Sequence, residues 1–121
     1  MLLTLPIMTY ESFLDLIDSS VPVVACFQAT WNVPSRTINS SLDKLKVQMN
    51  DRIVLLRLDI DSPENYKITQ AYNIYSVPTT IIFKGGTPVW RVGGAVSAEY
   101  LQRIIERLPN DAFATTRNRR R

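Results

Sequence analysis

The sequence contains no histidine and only one cysteine, Cys26, among its 121 residues. A single cysteine cannot form an internal disulfide, and a chain without histidine has no imidazole base, Ser-His-Asp triad or histidine-containing zinc site. Glycine is also scarce, with four residues in two adjacent pairs. Neither pair has the three-glycine dinucleotide spacing or the lysine and threonine of a phosphate loop. We therefore expect no metal and no cofactor.

Long apolar runs are absent too. No run approaches the roughly 18–20 residues that a membrane span requires, and the opening residues 1–8 lack the positive flank of a secretory signal. We expect an intracellular protein, cytoplasmic by default, with a nuclear or organellar location left open. The length fits one domain whose core needs neither disulfide nor structural metal.

Basic charge is concentrated at the end of the chain. The formal net charge is +3, but residues 1–116 carry ten basic and eleven acidic side chains. Hydrophobic periodicity stops at residue 111, so we predict a domain over 1–110 and a disordered basic tail over 111–121. The tail could be a solubilising end, or it could bind nucleic acid or an acidic protein. Its positive charges are Arg117, Arg119, Arg120 and Arg121.

The first predicted element is a helix from Thr9 to about Ser19. Threonine is a favourable capping residue at a helix start. Phe13, Leu14 and Ile17 have a spacing that predicts one apolar face.

A βαβ unit follows this helix. The strand over residues 21–29 is apolar almost throughout, which is typical of a central strand. A second strand, over 52–60, should pair with it in parallel through a right-handed crossover. The intervening helix has inward positions at Ile38, Leu42, Leu45 and Met49.

The second half of the chain reads as a short helix, a hairpin and a final helix. Residues 61–64 open the short helix, which reaches about Tyr72. Strands over 79–84 and 88–92 flank Gly85-Gly86, a pattern typical of an antiparallel hairpin. The last helix is capped by Ser97 and ends at Pro109-Asn110, with an inward stripe of Leu101, Ile104, Ile105 and Leu108.

Four segments carry a family resemblance. Residues 29–36, Ala-Thr-Trp-Asn-Val-Pro-Ser-Arg, lie where thioredoxins have Trp-Cys-Gly-Pro-Cys-Lys between a central strand and a helix. Residues 53–61 resemble the family's strand ending in aspartate, 76–79 its cis-proline loop, and 92–95 its closing glycine motif. The sequence resembles the thioredoxin family over about residues 8–108. The resemblance implies an α/β thioredoxin fold, with a central mixed sheet of four to five strands flanked by helices on both faces.

The cysteines of the family motif are replaced in this sequence. Asn32 stands at the position of the nucleophilic cysteine and Ser35 at that of the resolving cysteine. Asparagine and serine favour helix starts, so the turn can keep its geometry while losing its electron chemistry. Cys26 stands where thioredoxins often have a buried acid, and we interpret it as a structural core residue. A redox-sensing thiol, a mixed-disulfide partner and a metal or cluster ligand are the alternatives for Cys26.

The resemblance also implies a groove for extended peptides beside the cis-proline, where the backbone of Val77 would pair with a ligand. An alternative is that Trp31 is only packed on its loop. Gln28 replaces an aromatic residue often found in thioredoxins, which alters part of the inherited surface. The predicted groove residues are Trp31, Val33, Pro34, Val77, Pro78, Gly93 and Gly94.

The sequence thus predicts a redox-inactive protein-binding or assembly module with no catalytic residue. One alternative is a thioredoxin-type disulfide oxidoreductase whose active site is altered or engineered. Another is a nucleic-acid-associated adaptor acting through the arginine tail. Asp59 and Asp61 could suggest metal or acid chemistry, but their place in the thioredoxin-like frame implies a strand end and helix capping.

Overall fold

The computed structural model describes residues 9–109, so the opening segment and the predicted basic tail lie outside the described residues. Within this range the chain forms four helices and four strands. Two short 3-10 turns, Asn50–Arg52 and Pro63–Asn65, precede the second strand and the third helix. The elements are α1 (Tyr10–Ile17), β1 (Val23–Gln28), α2 (Val33–Met49), β2 (Val54–Asp59), α3 (Tyr66–Ala71), β3 (Thr79–Lys84), β4 (Thr87–Gly93) and α4 (Ala98–Glu106).

The described strands form one mixed sheet in the order β2-β1-β3-β4. β1 pairs in parallel with β2, starting at Val23 opposite Val54, and antiparallel with β3. β3 and β4 form the predicted antiparallel hairpin, with a bulge between Ile82 and Phe83. Gly85 and Gly86 have φ of 58° and 82°, which is why glycine suits this turn. β1 lies between β2 and β3, so the prediction that it is an internal strand is confirmed.

Helices cover both faces of the sheet because side chains alternate along β1. Val24 and Cys26 face a core shared with α2 and α4, whereas Val23, Ala25 and Phe27 face a core shared with α1 and α3. All five of these residues are fully buried. The predicted mixed sheet with helices on both faces is confirmed.

α1 begins at its predicted cap. The Thr9 hydroxyl accepts a hydrogen bond from the Ser12 N–H at 3.0 Å, and the Thr9 N–H donates to the Ser12 hydroxyl at 2.9 Å. Phe13 and Ile17 are buried as predicted, but the prediction for Leu14 is wrong because 39% of it is exposed. Successive helical residues lie about 100° apart, so Leu14 turns away from the core.

Several boundaries differ from the sequence prediction. β1 and β2 are each shorter than predicted, whereas β4 extends to Gly93. The last helix ends at Glu106, before the predicted stop at Pro109-Asn110, and the Arg107 N–H caps it by donating to carbonyls of the last turn. No helix among residues 9–109 is long and apolar enough to cross a membrane.

Candidate functional site

The four sequence segments of the predicted groove meet at one end of the sheet. β1 and β2 are parallel and end side by side at Gln28 and Asp59. β3 begins at this end and β4 finishes here, with Thr79 opposite Gly93. Two backbone bonds of 2.9 Å, from the Ile60 N–H to the Gln28 carbonyl and from the Gly94 N–H to the Pro78 carbonyl, join the loops in pairs.

The turn between β1 and α2 is closed by Asn32 and Ser35. Asn32 caps α2, because its side-chain oxygen accepts a hydrogen bond from the Ser35 N–H at 2.8 Å. The Ser35 hydroxyl accepts one from the Ala29 N–H at 3.2 Å and is almost fully buried. Both polar side chains are thus committed to the backbone of the turn, and neither supplies a thiol.

An exposed apolar surface lies on this turn. Trp31 is 63% exposed and Val33 is 59% exposed, and Pro34 beside them is exposed as well. The indole N–H of Trp31 donates to the Asp61 carboxylate at 2.8 Å, so the polar edge of the ring is paired while most of the ring faces solvent. Trp31 as a binding residue stays a prediction, and its bond to Asp61 is a contact within the domain.

Asp59 has the expected role at the end of β2, whereas Asp61 differs from the expectation. An Asp59 carboxylate oxygen accepts a hydrogen bond from the Asp61 N–H at 2.9 Å, which closes the turn after β2. The expected strand-end role therefore fits Asp59, but the helix-capping expectation is wrong. The N-cap of α3 is Asn65, whose side-chain amide donates to the Asp59 carbonyl at 2.8 Å and makes no capping bond. The Asp61 carboxylate accepts from the Trp31 indole.

The loop before β3 forms the next part of the site. The Val77-Pro78 peptide bond is cis, the isomer that the family resemblance implies. Val77 is half-buried and the Pro78 ring is buried, so Pro78 supports the loop from beneath. Within residues 9–109, the backbone N–H and C=O of Val77 form no hydrogen bond. These two groups are available to pair with an extended chain.

The two glycines after β4 leave open space beside this loop. A Cβ on Gly93 would lie 3.9 Å from the Pro78 carbonyl oxygen, and one on Gly94 would have no atom within 4 Å. Gly94 has a φ of 92°, which side-chain-bearing residues rarely adopt. Conformation therefore requires glycine only at position 94, while both positions allow close approach of another chain.

Cys26 lies in the core behind the turn and is fully buried. Burial raises the pKa of its thiol, although a hydrogen bond from Gln28, the Thr80 hydroxyl and the charge of Arg57 act in the opposite direction. The thiol is therefore protonated and inaccessible at neutral pH, which supports its interpretation as a core residue. Among residues 9–109, no group of three or more metal-binding side chains is placed to hold an ion.

Gln28 turns its side chain inward to a polar network. Its amide nitrogen donates to the Asn39 side-chain oxygen at 2.9 Å and contacts the Cys26 sulfur at 3.4 Å. Arg57 donates to the same Asn39 oxygen at 2.7 Å and forms an ion pair with Asp43 at 2.6 Å. The network joins β1, α2 and β2, so the residue that replaces the family's aromatic is structural here.

Tyr75 is a surface residue that the sequence reasoning missed. It is 89% exposed, and its hydroxyl donates only to the neighbouring Asn73 side chain, at 3.3 Å. It lies in the same loop as Val77. The sequence signal that could have identified it is an aromatic residue three positions before the predicted cis-proline.

A mixed sheet with helices on both faces, a capped turn after β1 and a cis-proline loop beside it defines a protein of the thioredoxin fold. A family model described as Thioredoxin matches residues 4–107. The thioredoxin of Mycolicibacterium smegmatis is 33% identical over 98 residues, which cover 80% of this chain and 88% of that protein. Thioredoxin 1 of Nostoc sp. is 36% identical over 93 residues, covering 77% and 85%.

Solved structures agree with the sequence matches. The crystal structure of Malassezia sympodialis thioredoxin superposes with a TM-score of 0.71 at 29% identity, covering 81% of this chain and 84% of that one. This chain belongs to the thioredoxin family.

Proposed function

We propose that this chain is a redox-inactive member of the thioredoxin family that binds extended protein segments in the groove beside Pro78. The observation that carries the proposal is the closed turn between β1 and α2. There the oxygens of Asn32 and Ser35 accept hydrogen bonds from backbone N–H groups at 2.8 and 3.2 Å. The turn is thus complete without either thiol of the family motif.

Disulfide exchange requires an accessible thiolate and, for release of the mixed disulfide, a second thiol. Neither Asn32 nor Ser35 can form a disulfide. Cys26 is a poor substitute because it is fully buried and burial raises its pKa. Loss of the thiols leaves the binding surface as the remaining functional part of the site.

The groove suits recognition by strand addition. The unpaired backbone N–H and C=O of Val77 would bond an extended segment, while Trp31, Val33 and Pro34 offer apolar contact on one side. The open space at Gly93 and Gly94 would admit the segment on the other side. Aromatic side chains contribute strongly to binding free energy, so Trp31 is the expected main contact.

The first experiment measures reduction of insulin disulfides with dithiothreitol as the electron source. We expect the chain to add nothing to the rate with dithiothreitol alone. The matched variant Asn32→Cys/Ser35→Cys restores both family thiols on the same backbone and should gain activity. Turnover by the unaltered chain comparable to that variant would contradict the proposal and favour the disulfide oxidoreductase alternative, which the relatives named thioredoxin represent.

The second experiment selects short random peptides on the chain and measures their dissociation constants. Val77→Asp should weaken binding by about tenfold or more, which corresponds to about 1.4 kcal/mol, because it places a charge beside the unpaired backbone. The matched control is Val47→Asp: Val47 is 81% exposed and lies about 20 Å along α2 from Val33. Equal losses for both variants, or no enriched peptide, would contradict a binding role for the groove.

The predicted arginine tail lies outside the described residues, and a nucleic-acid or acidic protein partner for it stays an alternative from the sequence. The intracellular location stays a prediction.

A further inference from the structure

The loop between α3 and β3 carries one large side chain to which the proposed groove assigns no role. Tyr75 is 89% exposed, the highest value among the exposed large apolar and aromatic side chains of residues 9–109. Its hydroxyl makes one hydrogen bond, to the Asn73 side chain at 3.3 Å. A single exposed aromatic residue is ordinary on a protein surface, so its role depends on how the loop around it is built.

The start of this loop is held by β4. One terminal nitrogen of Arg91 donates to the Tyr72 carbonyl and the other to the Asn73 carbonyl, the second bond at 2.6 Å. Because the guanidinium is charged, these are charge-assisted hydrogen bonds. Ile74, which follows, is only 8% exposed and packs in the core. The backbone that leads into Tyr75 is therefore fixed by hydrogen bonds and by packing.

The end of the loop is held as well. The Thr79 hydroxyl donates to the Ser76 carbonyl at 2.7 Å, and the Gly94 N–H donates to the Pro78 carbonyl at 2.9 Å. Tyr75 thus lies in a short segment that is anchored on both sides. A rigidly held tyrosine loses little conformational entropy when a partner covers it, which makes it an effective contact residue.

Tyr75 is also close to the unpaired backbone of the groove. Two residues along a chain span at most about 7 Å, so its backbone lies within that distance of Val77. The N–H and C=O of Val77 form no hydrogen bond within residues 9–109. In an extended segment, side chains on one face recur every second residue, roughly 6.6 Å apart. A segment paired with Val77 can therefore bring its next side chain on the same face to Tyr75.

The loop offers no opposite charge to such a side chain. Residues 72–79 contain no acidic or basic residue, and both terminal nitrogens of Arg91 are bonded to backbone carbonyls. A charged group covered by the Tyr75 ring would lose water without gaining an ionic partner. An apolar group gains free energy from the same burial. The surroundings of Tyr75 therefore favour an apolar side chain.

We propose that Tyr75 is a specificity-determining residue of the groove. Its ring contacts an apolar side chain of the bound segment, two positions from the residue that pairs with Val77. This inference rests on the proposed function, because it requires the groove to bind an extended segment. It adds the class of segment to that function: one with an uncharged, apolar residue at this position.

The first test measures the dissociation constants of the selected peptides with variants of the full chain. Tyr75→Ala should weaken binding by about tenfold, whereas Tyr75→Phe should retain it because the hydroxyl bonds only to Asn73. Tyr66→Ala is the matched control, since Tyr66 is 56% exposed and lies at the start of α3. Equal losses in Tyr75→Ala and Tyr66→Ala would overturn the proposal.

The second test locates the contact on the peptide. N-methylation at each position identifies the residue that pairs with Val77, because the methyl group removes a backbone donor. Replacing the apolar residue two positions away by alanine should cost about tenfold with the unaltered chain and little with Tyr75→Ala, since contacting residues show coupled effects. An equal cost with both chains, or enrichment of a charged residue at that position, would overturn the proposal.

The outcomes separate this inference from the proposed function. If Val77→Asp weakens peptide binding and Tyr75→Ala does not, the groove remains the binding site and Tyr75 has no part in it. If no selected peptide is weakened by Val77→Asp, the proposed function and this inference are both contradicted.

Discussion

The indole N–H of Trp31 donates a hydrogen bond to the carboxylate of Asp61 at 2.8 Å, although 63% of Trp31 is exposed. The bond joins the turn after β1 to the residues that follow β2. Because the polar edge of the indole is already paired, a partner that covers the ring need not provide a hydrogen-bond acceptor. If the proposed binding role is correct, the exposed face of the ring would make the apolar contact.

Removing the acceptor should release the indole. In a Trp90→Phe background, where Trp31 is the only tryptophan, Asp61→Ala should increase quenching of fluorescence by acrylamide and weaken binding of the selected peptides. The loss of unfolding free energy should be small, about 0.5–1.5 kcal/mol. Asp61→Asn keeps an acceptor oxygen and should behave like the unaltered chain. Identical quenching in all three proteins would contradict a positioning role for Asp61.

The cap of α2 should contribute measurably to stability. Asn32→Ala removes the side-chain acceptor of the Ser35 N–H, and we expect it to lower the unfolding free energy by about 1 kcal/mol. Urea unfolding measures the change. Asn32→Asp is the matched control, because aspartate caps helices about as well as asparagine. A loss as large in Asn32→Asp as in Asn32→Ala would show that capping is not the reason for asparagine here.

The sequence predicted the elements with strong periodicity and the order of the four groove segments. Ile38, Leu42, Leu45 and Met49 are all buried as their spacing predicts, because one amphipathic face is enough to orient a long helix. The prediction for Leu14 was wrong because an apolar residue next to Phe13 in the sequence need not lie on the same face of the helix. In a short helix only the packing partners decide which side chains turn inward.

Partners distant in sequence were harder to predict. Trp31 and Asp61 are thirty residues apart, and their contact depends on how β1 and β2 align at their ends. The inward side chain of Gln28 depends likewise on Asn39, which α2 brings beside β1. Local propensity contains neither contact, so the sequence did not suggest that Asp61 accepts a hydrogen bond from Trp31.

The burial of Cys26 should appear in the pH dependence of stability. Burial raises the pKa of the thiol above its ordinary value of 9.0, so the unfolded chain loses this proton at a lower pH than the folded chain. The contribution is fully present below about pH 9 and is lost as the pH rises further. Cys26→Ala should therefore show a shallower fall in unfolding free energy at alkaline pH.

The control for this experiment is thiol reactivity. The native thiol should react slowly with a thiol reagent at pH 8, and the same chain in urea should react rapidly, because only unfolding exposes Cys26. Burial also raises the pKa of Tyr72, which is present in both variants and does not affect their difference. Rapid labelling of the native chain would favour the redox-sensing alternative for Cys26.

The two glycines after β4 should respond differently to alanine. Gly94→Ala forces a side chain into a φ of 92° and should cost about 1–3 kcal/mol of unfolding free energy. Gly93→Ala meets only an ordinary contact of 3.9 Å with the Pro78 carbonyl and should be nearly neutral for stability. Its added methyl group should still weaken peptide binding if the ligand approaches Gly93 closely. Unfolding curves and peptide titrations on both variants separate these effects.

Deleting residues 117–121 tests whether the basic tail and the groove bind their ligands independently. The deletion removes four positive charges and leaves more acidic than basic side chains, so binding to a single-stranded oligonucleotide at low salt should be lost. Replacing the four arginines by lysines keeps the charge and should retain most of that binding. Affinity for groove peptides should not change, because the chain leaves the domain at the end opposite the groove. A loss of peptide affinity in the shortened chain would contradict the independence of the tail and the groove.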